Sequence, residues 1–175
     1  MLKKTAPKYI DMATTLPLPD HPGGASNHMR VFLTDLPLKC NSSLDRLLVT
    51  NHVLRKQGAD WSSFAFLDAL KLLDKFPLTI CRKIFSSMYK TGPSYTLSIL
   101  PSTSSREFID NGEIVDAYFV VGTTTTTGMN IGVWGINNQQ RVNIYYTPNT
   151  FGSEIPNGSF SKYLAQELEM LDNLS

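Results

Sequence analysis

Apolar and polar residues alternate with two different periods along this chain, and the change of period predicts its elements. Residues 1–24 are rich in Pro and Thr and end in Leu16-Pro-Leu-Pro-Asp-His-Pro-Gly-Gly24. Proline fixes φ and pushes the preceding residue toward extended backbone, so residues 1–24 are expected to form an irregular N-terminal arm. Met29-Arg-Val-Phe-Leu-Thr34 has β-type character before Pro37, which predicts a strand from about Asn27 to Leu36. Three helical segments follow. The first begins at an Asn41 or Ser42 cap, places Leu44, Leu47, Leu48 and Val53 or Leu54 in one stripe, and ends near Gly58. The second runs from Ser62 or Ser63, with Phe66, Ala69, Leu70 and Leu73 sharing a face until Pro77. The third, Leu78 to Lys90, groups Ile80, Ile84, Phe85 and Met88 and is stopped by Thr91-Gly92-Pro93.

From Ser94 the period becomes two. Tyr95, Leu97 and Ile99 alternate with Thr96 and Ser98 until Pro101. Glu113 to Val121 alternates loosely and then runs Tyr-Phe-Val-Val, which predicts a strand covered on both faces. Met129 to Ile136 and Val142 to Tyr146 read as the two arms of a hairpin around Asn137-Asn138-Gln139-Gln140. Asn157-Gly-Ser159 opens a last amphipathic helix carrying Phe160, Leu164, Leu168, Leu171 and Leu174. The order strand, helices, strands, helix predicts an α+β fold with a mixed or antiparallel sheet.

Composition narrows the function classes more than it names one. The chain has 175 residues, with 16 Lys+Arg and 15 Asp+Glu, a net charge of 16 − 15 = +1. That length suits one domain with its own core, and the near-neutral charge gives no overall reason to expect nucleic acid or an anionic membrane as partner. Cys40 and Cys81 are too few for a disulfide scaffold and read as small buried hydrophobes. No apolar run has the length of a membrane span, and Met-Leu-Lys-Lys-Thr-Ala-Pro7 is followed by no apolar stretch of signal-peptide type, so an intracellular location is expected, cytoplasmic or peripheral to a membrane.

The familiar catalytic patterns are missing. Gly122 to Gly128 brackets a Thr run without phosphate-loop spacing. His21, His28 and His52 have no Cys or His partners at metal spacing. Ser104-Ser105-Arg106-Glu107 reads as a loop, Cys81-Arg-Lys83 as a solvated helix face, and Glu167 and Glu169 as exposed residues of the last helix. The Thr123–Thr127 hydroxyls lie between two expected strands, where they are read as an exposed connection or as the lining of a polar cavity.

Tyr95-Thr-Leu-Ser-Ile-Leu-Pro-Ser-Thr103, Gly112-Glu-Ile-Val-Asp-Ala-Tyr-Phe-Val-Val121, Gly128-Met-Asn-Ile-Gly-Val-Trp-Gly-Ile136 and Arg141-Val-Asn-Ile-Tyr-Tyr-Thr-Pro148 follow one another in a familiar order. With Ile155-Pro156-Asn157 before the last helix, and with Gly24-Ala-Ser-Asn27 and Leu36-Pro37 upstream, this order resembles the C-terminal region of the wax ester synthase/diacylglycerol acyltransferase family. Leu100-Pro101-Ser102 departs from that family's Asn-Val-Pro-Gly-Pro loop, and Thr147-Pro148-Asn149 replaces its acidic residue after the hairpin.

The resemblance implies one lobe of the two-lobed, chloramphenicol acetyltransferase-like fold, a mixed β-sheet with flanking helices over residues 25–175. It implies acyl-CoA as co-substrate, with no bound cofactor and no metal, and a long-chain alcohol or diacylglycerol as acceptor. The family's general base belongs to a His-His-x-x-x-Asp-Gly motif in the first lobe, and no His-His pair occurs here. A partner lobe bearing that motif is therefore expected, with no catalytic residue in this chain. Ser98, Ser102, Asn130 and Trp134 are the candidates for the wall of the substrate channel and for donors near the developing oxyanion. The alternative expectation is a non-catalytic module that keeps the lobe fold and binds lipid or protein.

Overall fold

The computed structural model describes residues 7–18, 20–24, 26, 28–58, 62–90, 92–120, 128–147, 150 and 158–173. Its elements in chain order are β1 (Tyr9–Pro17), β2 (Met29–Pro37), α1 (Ser43–Gly58), α2 (Ser62–Leu73), α3 (Leu78–Lys90), β3 (Tyr95–Ile99), β4 (Phe108–Ile109), β5 (Gly112–Glu113), β6 (Met129–Ile136), β7 (Gln139–Tyr146) and α4 (Ser159–Asp172). The chain is mixed α+β, with helices flanking a mixed sheet of order β2-β1-β3-β6-β7. Among the described residues no helix is long and apolar enough to cross a membrane.

The first correction lies in the N-terminal arm. Tyr9–Pro17 is a strand near the middle of the sheet, antiparallel to β2 from Tyr9↔Pro37 to Pro17↔Met29 and parallel to β3 through Met12↔Tyr95. Proline density masked a period-two row, Ile10, Met12, Thr14 and Leu16, whose β-branched members suit a pleated surface. Met12 is fully buried. Pro17 is the last residue of the strand, and Pro22 and the left-handed Gly23 and Gly24 belong to the connection to β2.

Two hairpins, β1–β2 and β6–β7, are joined through β3, which pairs in parallel with β1 on one side and β6 on the other. The β6–β7 turn is two residues, Asn137 and Asn138, with φ of 54° and 61°. Positive φ at both central positions matches the twist of the strands, and Asn tolerates it better than most residues. The Asn137 side chain also ties down the chain ahead of it, accepting from the Glu107 N–H at 3.1 Å and donating to the Ile114 carbonyl at 2.6 Å. Gly135, beside this turn, has no room for a side chain: a Cβ would stand 2.2 Å from the Gln139 carbonyl oxygen.

Cross-strand partners share a face, and residues two apart along a strand share it too. Met12, Phe32, Thr34, Tyr95 and Ile144 therefore lie on one face, and α1, α2 and α4 sit on it. Gln57 of α1 bonds the Thr34 hydroxyl and donates to the Leu33 carbonyl at 2.7 Å. The Arg30 guanidinium stands 4.8 Å from the centres of both the Phe32 ring and the Phe64 ring of α2, a double cation–π contact. Tyr146 packs on Phe160 of α4, and Arg46 of α1 pairs with Glu167 of α4 at 2.9 Å.

Three further expectations are corrected or fall short. The strand expected over Glu113–Val121 does not form. Only Gly112–Glu113 pairs, with Phe108–Ile109, and Val115 and Tyr118 are 78% and 71% exposed; Val121 lies outside the described residues, as do Thr123–Thr127. On α1 the leucine stripe points outward: Leu44, Leu47, Leu48 and Leu54 are exposed, while the row nearer the sheet and α4 is Ser43, Arg46, Thr50, Val53 and Gln57. The N-cap does form as expected, with Ser42 Oγ accepting from the Asp45 N–H and the Asp45 carboxylate accepting from the Asn41 N–H. Neither cysteine is buried, and they are not bonded to each other; Cys81 Sγ donates to the carbonyl of Leu73, the last residue of α2, at 3.2 Å and approaches that of Phe76 at 3.5 Å.

Two stability consequences follow from these contacts. Gly135→Ala forces a Cβ onto backbone that cannot yield, and a loss of about 2–3 kcal/mol in urea unfolding is expected. Burial pushes the Tyr95 phenol above its usual pKa of 10.0. A raised pKa favours the protonated form in the folded state, so this contribution is intact below pH ~10 and is lost as pH rises through the folded value. Absorbance titration of the tyrosinates should show a late-ionising phase that Tyr95→Phe removes.

Candidate functional site

The β3–β6 register decides which of the candidate residues meet. Thr96 opposes Asn130 and Ser98 opposes Gly132, and Trp134 is two residues further along β6. Alternation therefore puts Ser98, Asn130 and Trp134 together on the face opposite α1, α2 and α4, joined there by Thr96, whose part in the group no local pattern signals. Ser102 is not among them. It lies past the end of β3 in an exposed loop, where its hydroxyl accepts a long 3.5 Å bond from Gln140.

This second face has two parts. Over β6 and β7 it is covered by the chain at residues 116–119. The Phe119 ring lies against Gly132, where an added Cβ would come within 2.9 Å of it, and meets Trp134 edge-on with centroids 6.4 Å apart. Asp116 fixes this crossing by pairing with Arg141, opposite Trp134, at 3.0 Å. Over β1 and β2 the same face is open: Tyr9, Met29 and Leu33 are exposed, Leu33 by 61%. Apolar side chains thus flank a polar strip of Thr96 and Ser98 along the covered edge.

Asn130 is 4% exposed, and its amide donates to the Thr96 hydroxyl at 2.5 Å. A buried amide must be hydrogen-bonded or it costs about 1–3 kcal/mol. The pair therefore locks β3 to β6 as well as offering polarity to the face. Asn143, across from Gly132 on β7, has a buried Nδ2 with no partner among the described residues. At the mouth of β3, Asp11 takes both the Ser94 N–H (3.2 Å) and the Ser94 hydroxyl (2.5 Å). Asp11 lay in the expected arm, so nothing in the local sequence pointed to it.

Two of the three histidines come together. In the β1–β2 connection His28 Nε2 lies 3.2 Å from Asp20 Oδ1, and the His21 and His28 rings meet edge-on at 6.0 Å. The hydrogen bond from His28 holds the Asp20 carboxyl below its usual range. His–Asp contact is what orients an imidazole as a base, but this pair is solvent-exposed and stands in a loop. Among the described residues no three His, Cys, Asp or Glu side chains are placed to hold a metal ion. Glu167, expected to be a plain exposed carboxylate, is held below its usual pKa by hydrogen bonds from Ser43 and Arg46.

Thr96→Val should strand the Asn130 amide and lower stability by about 1–3 kcal/mol, whereas Thr96→Val with Asn130→Leu should recover most of that loss. Urea unfolding of the four proteins in this cycle reads the coupling. Compared with protein-family models, with curated proteins and with solved structures, the chain matches none.

Proposed function

We propose that this chain is the C-terminal lobe of an acyl-CoA-dependent O-acyltransferase of the wax ester synthase/diacylglycerol acyltransferase type, acting with a lobe that carries His-His-x-x-x-Asp-Gly. The observation that supports this most directly is the one-sided cladding of the sheet. Helices lie on one face, and the other brings Ser98, Asn130 and Trp134 together beside the exposed Tyr9, Met29 and Leu33. The part of that face left open over β1 and β2, apolar and edged by Thr96 and Ser98, suits a long acyl chain that must present one carbonyl to polar groups.

The chemistry divides between the lobes. A histidine of the partner lobe takes the proton of the acceptor alcohol, the alkoxide attacks the thioester carbonyl, and the tetrahedral oxyanion collapses with loss of CoA thiolate, which takes that proton back. This lobe contributes the channel wall. Trp134, braced by Phe119, supplies apolar area, and the Thr96–Asn130 pair supplies polarity that is fixed before substrate arrives. The exposed His28–Asp20 pair is a loop contact in this reading, outside the channel.

The test mixes the purified chain with a long-chain acyl-CoA and either a long-chain alcohol or diacylglycerol. No ester is expected from the chain alone, and ester should form when a first-lobe protein bearing the motif is added. Trp134→Ala should lower that restored turnover by about 10- to 100-fold while leaving complex formation intact. Turnover by the isolated chain, or restored turnover indifferent to Trp134→Ala, removes the reading.

A further inference from the structure

Helix α3 separates its residues by character more completely than the other three helices. At 3.6 residues per turn, Leu78, Ile80, Ile84, Phe85 and Met88 fall on one half of the helix, and Arg82, Lys83, Ser86, Ser87 and Lys90 fall on the other. It has three basic residues and no acidic one. The remainder of the chain then carries 13 basic and 15 acidic residues, a net charge of −2, so the overall +1 hides one concentrated cationic element.

Among the described residues this helix has no packing against the sheet like that of α1 and α2, and its polar contact with α2 is Cys81 Sγ against the Leu73 carbonyl at 3.2 Å. Leu78, Ile80, Phe85 and Met88 are exposed, Leu78 by 64%, and Leu72 and Phe76, which precede the helix in the chain, are exposed as well. Among the described residues none of Arg82, Lys83 and Lys90 is paired with a carboxylate. At about 1.5 Å per residue its 13 residues span about 20 Å, too short to cross a bilayer but long enough to lie along one.

We propose that α3 docks the protein on an anionic lipid surface, lying in the plane of the membrane. The apolar half enters the boundary between headgroups and acyl chains, and the three cations face the phosphates and carboxylates of the headgroups. Charge complementarity selects this occupant: a polar half whose charged residues are all cationic, with no acid of its own, is matched by a plane of negative charge. The inference stands on α3 alone and holds whether or not the chain completes an acyltransferase.

Flotation of the full chain with vesicles tests it. Binding to vesicles containing phosphatidylserine should be at least about tenfold tighter than to phosphatidylcholine alone, and should weaken as salt rises. Reversing the charges with Arg82→Glu, Lys83→Glu and Lys90→Glu should lose at least about tenfold of that binding with an unchanged circular dichroism spectrum. Phe85→Ser with Met88→Ser should lose binding to a similar extent, separating insertion from adsorption. Equal affinity for neutral and anionic vesicles, absence of binding, or indifference to charge reversal overturns the proposal. So does dimerisation by light scattering that Phe85→Ser abolishes while vesicle binding is absent, because that result gives the apolar half to a second copy of the chain.

Discussion

Five residues of β3 hold this fold together. Each hairpin, β1–β2 and β6–β7, closes its own antiparallel ladder, but the two are joined into one sheet by parallel pairing to Tyr95–Ile99. A parallel pair needs a long crossover, and here α1, α2 and α3 supply it between β2 and β3. The joint is reinforced by side chains at both of its edges: Asp11 gripping Ser94 on the β1 side, and Thr96 bonded to Asn130 on the β6 side. Because side chains alternate, this register also decides which residues face the helices and which face away. A slip of one residue would move Ser98 and Thr96 under the helices and Tyr95 out of the core.

The core that results is small for the apolar content of the chain. Met12, Phe32, Tyr95 and Ile136 are its buried hydrophobic residues among those described. Apolar rows remain exposed on α1, α3 and α4, and on the outer face of β1 and β2. Surface of this kind is the mark of a protein that meets something else. Two parts of it stand out: the open part of the sheet face at Tyr9, Met29 and Leu33, and α3, where exposed apolar residues coincide with positive charge.

The polarity of α1 shows how packing and periodicity part company. A stripe of Leu44, Leu47, Leu48 and Leu54 is a sound signature of an amphipathic helix, and a helix does form there. The sheet-ward row is nonetheless the one bearing Arg46 and Gln57, because those two groups find partners in Glu167, Thr34 and the Leu33 carbonyl. Directional hydrogen bonds and an ion pair set the rotation of the helix about its axis, and the leucines are left outward. Nothing within α1 itself specifies those distant partners.

The local sequence was sufficient for the helices, for β2 and β3, for the Asn-Asn hairpin and for the Ser42 cap, because each depends on interactions within a few residues: period, capping hydroxyls, and the φ preferences of Asn, Gly and Pro. It also grouped Ile80, Ile84, Phe85 and Met88 on one side of α3, with Arg82 and Lys83 read only as a solvated face. The tertiary structure alone decided that Tyr9–Pro17 is a central strand, that Glu113–Val120 is mostly an unpaired crossing anchored by Asp116 and Phe119, and that Ser102 stands apart from Ser98, Asn130 and Trp134. Those outcomes rest on pairings between residues 15 to more than 80 positions apart. Such pairings are chosen by competition among all strands and surfaces at once, and a local pattern carries no record of the winner.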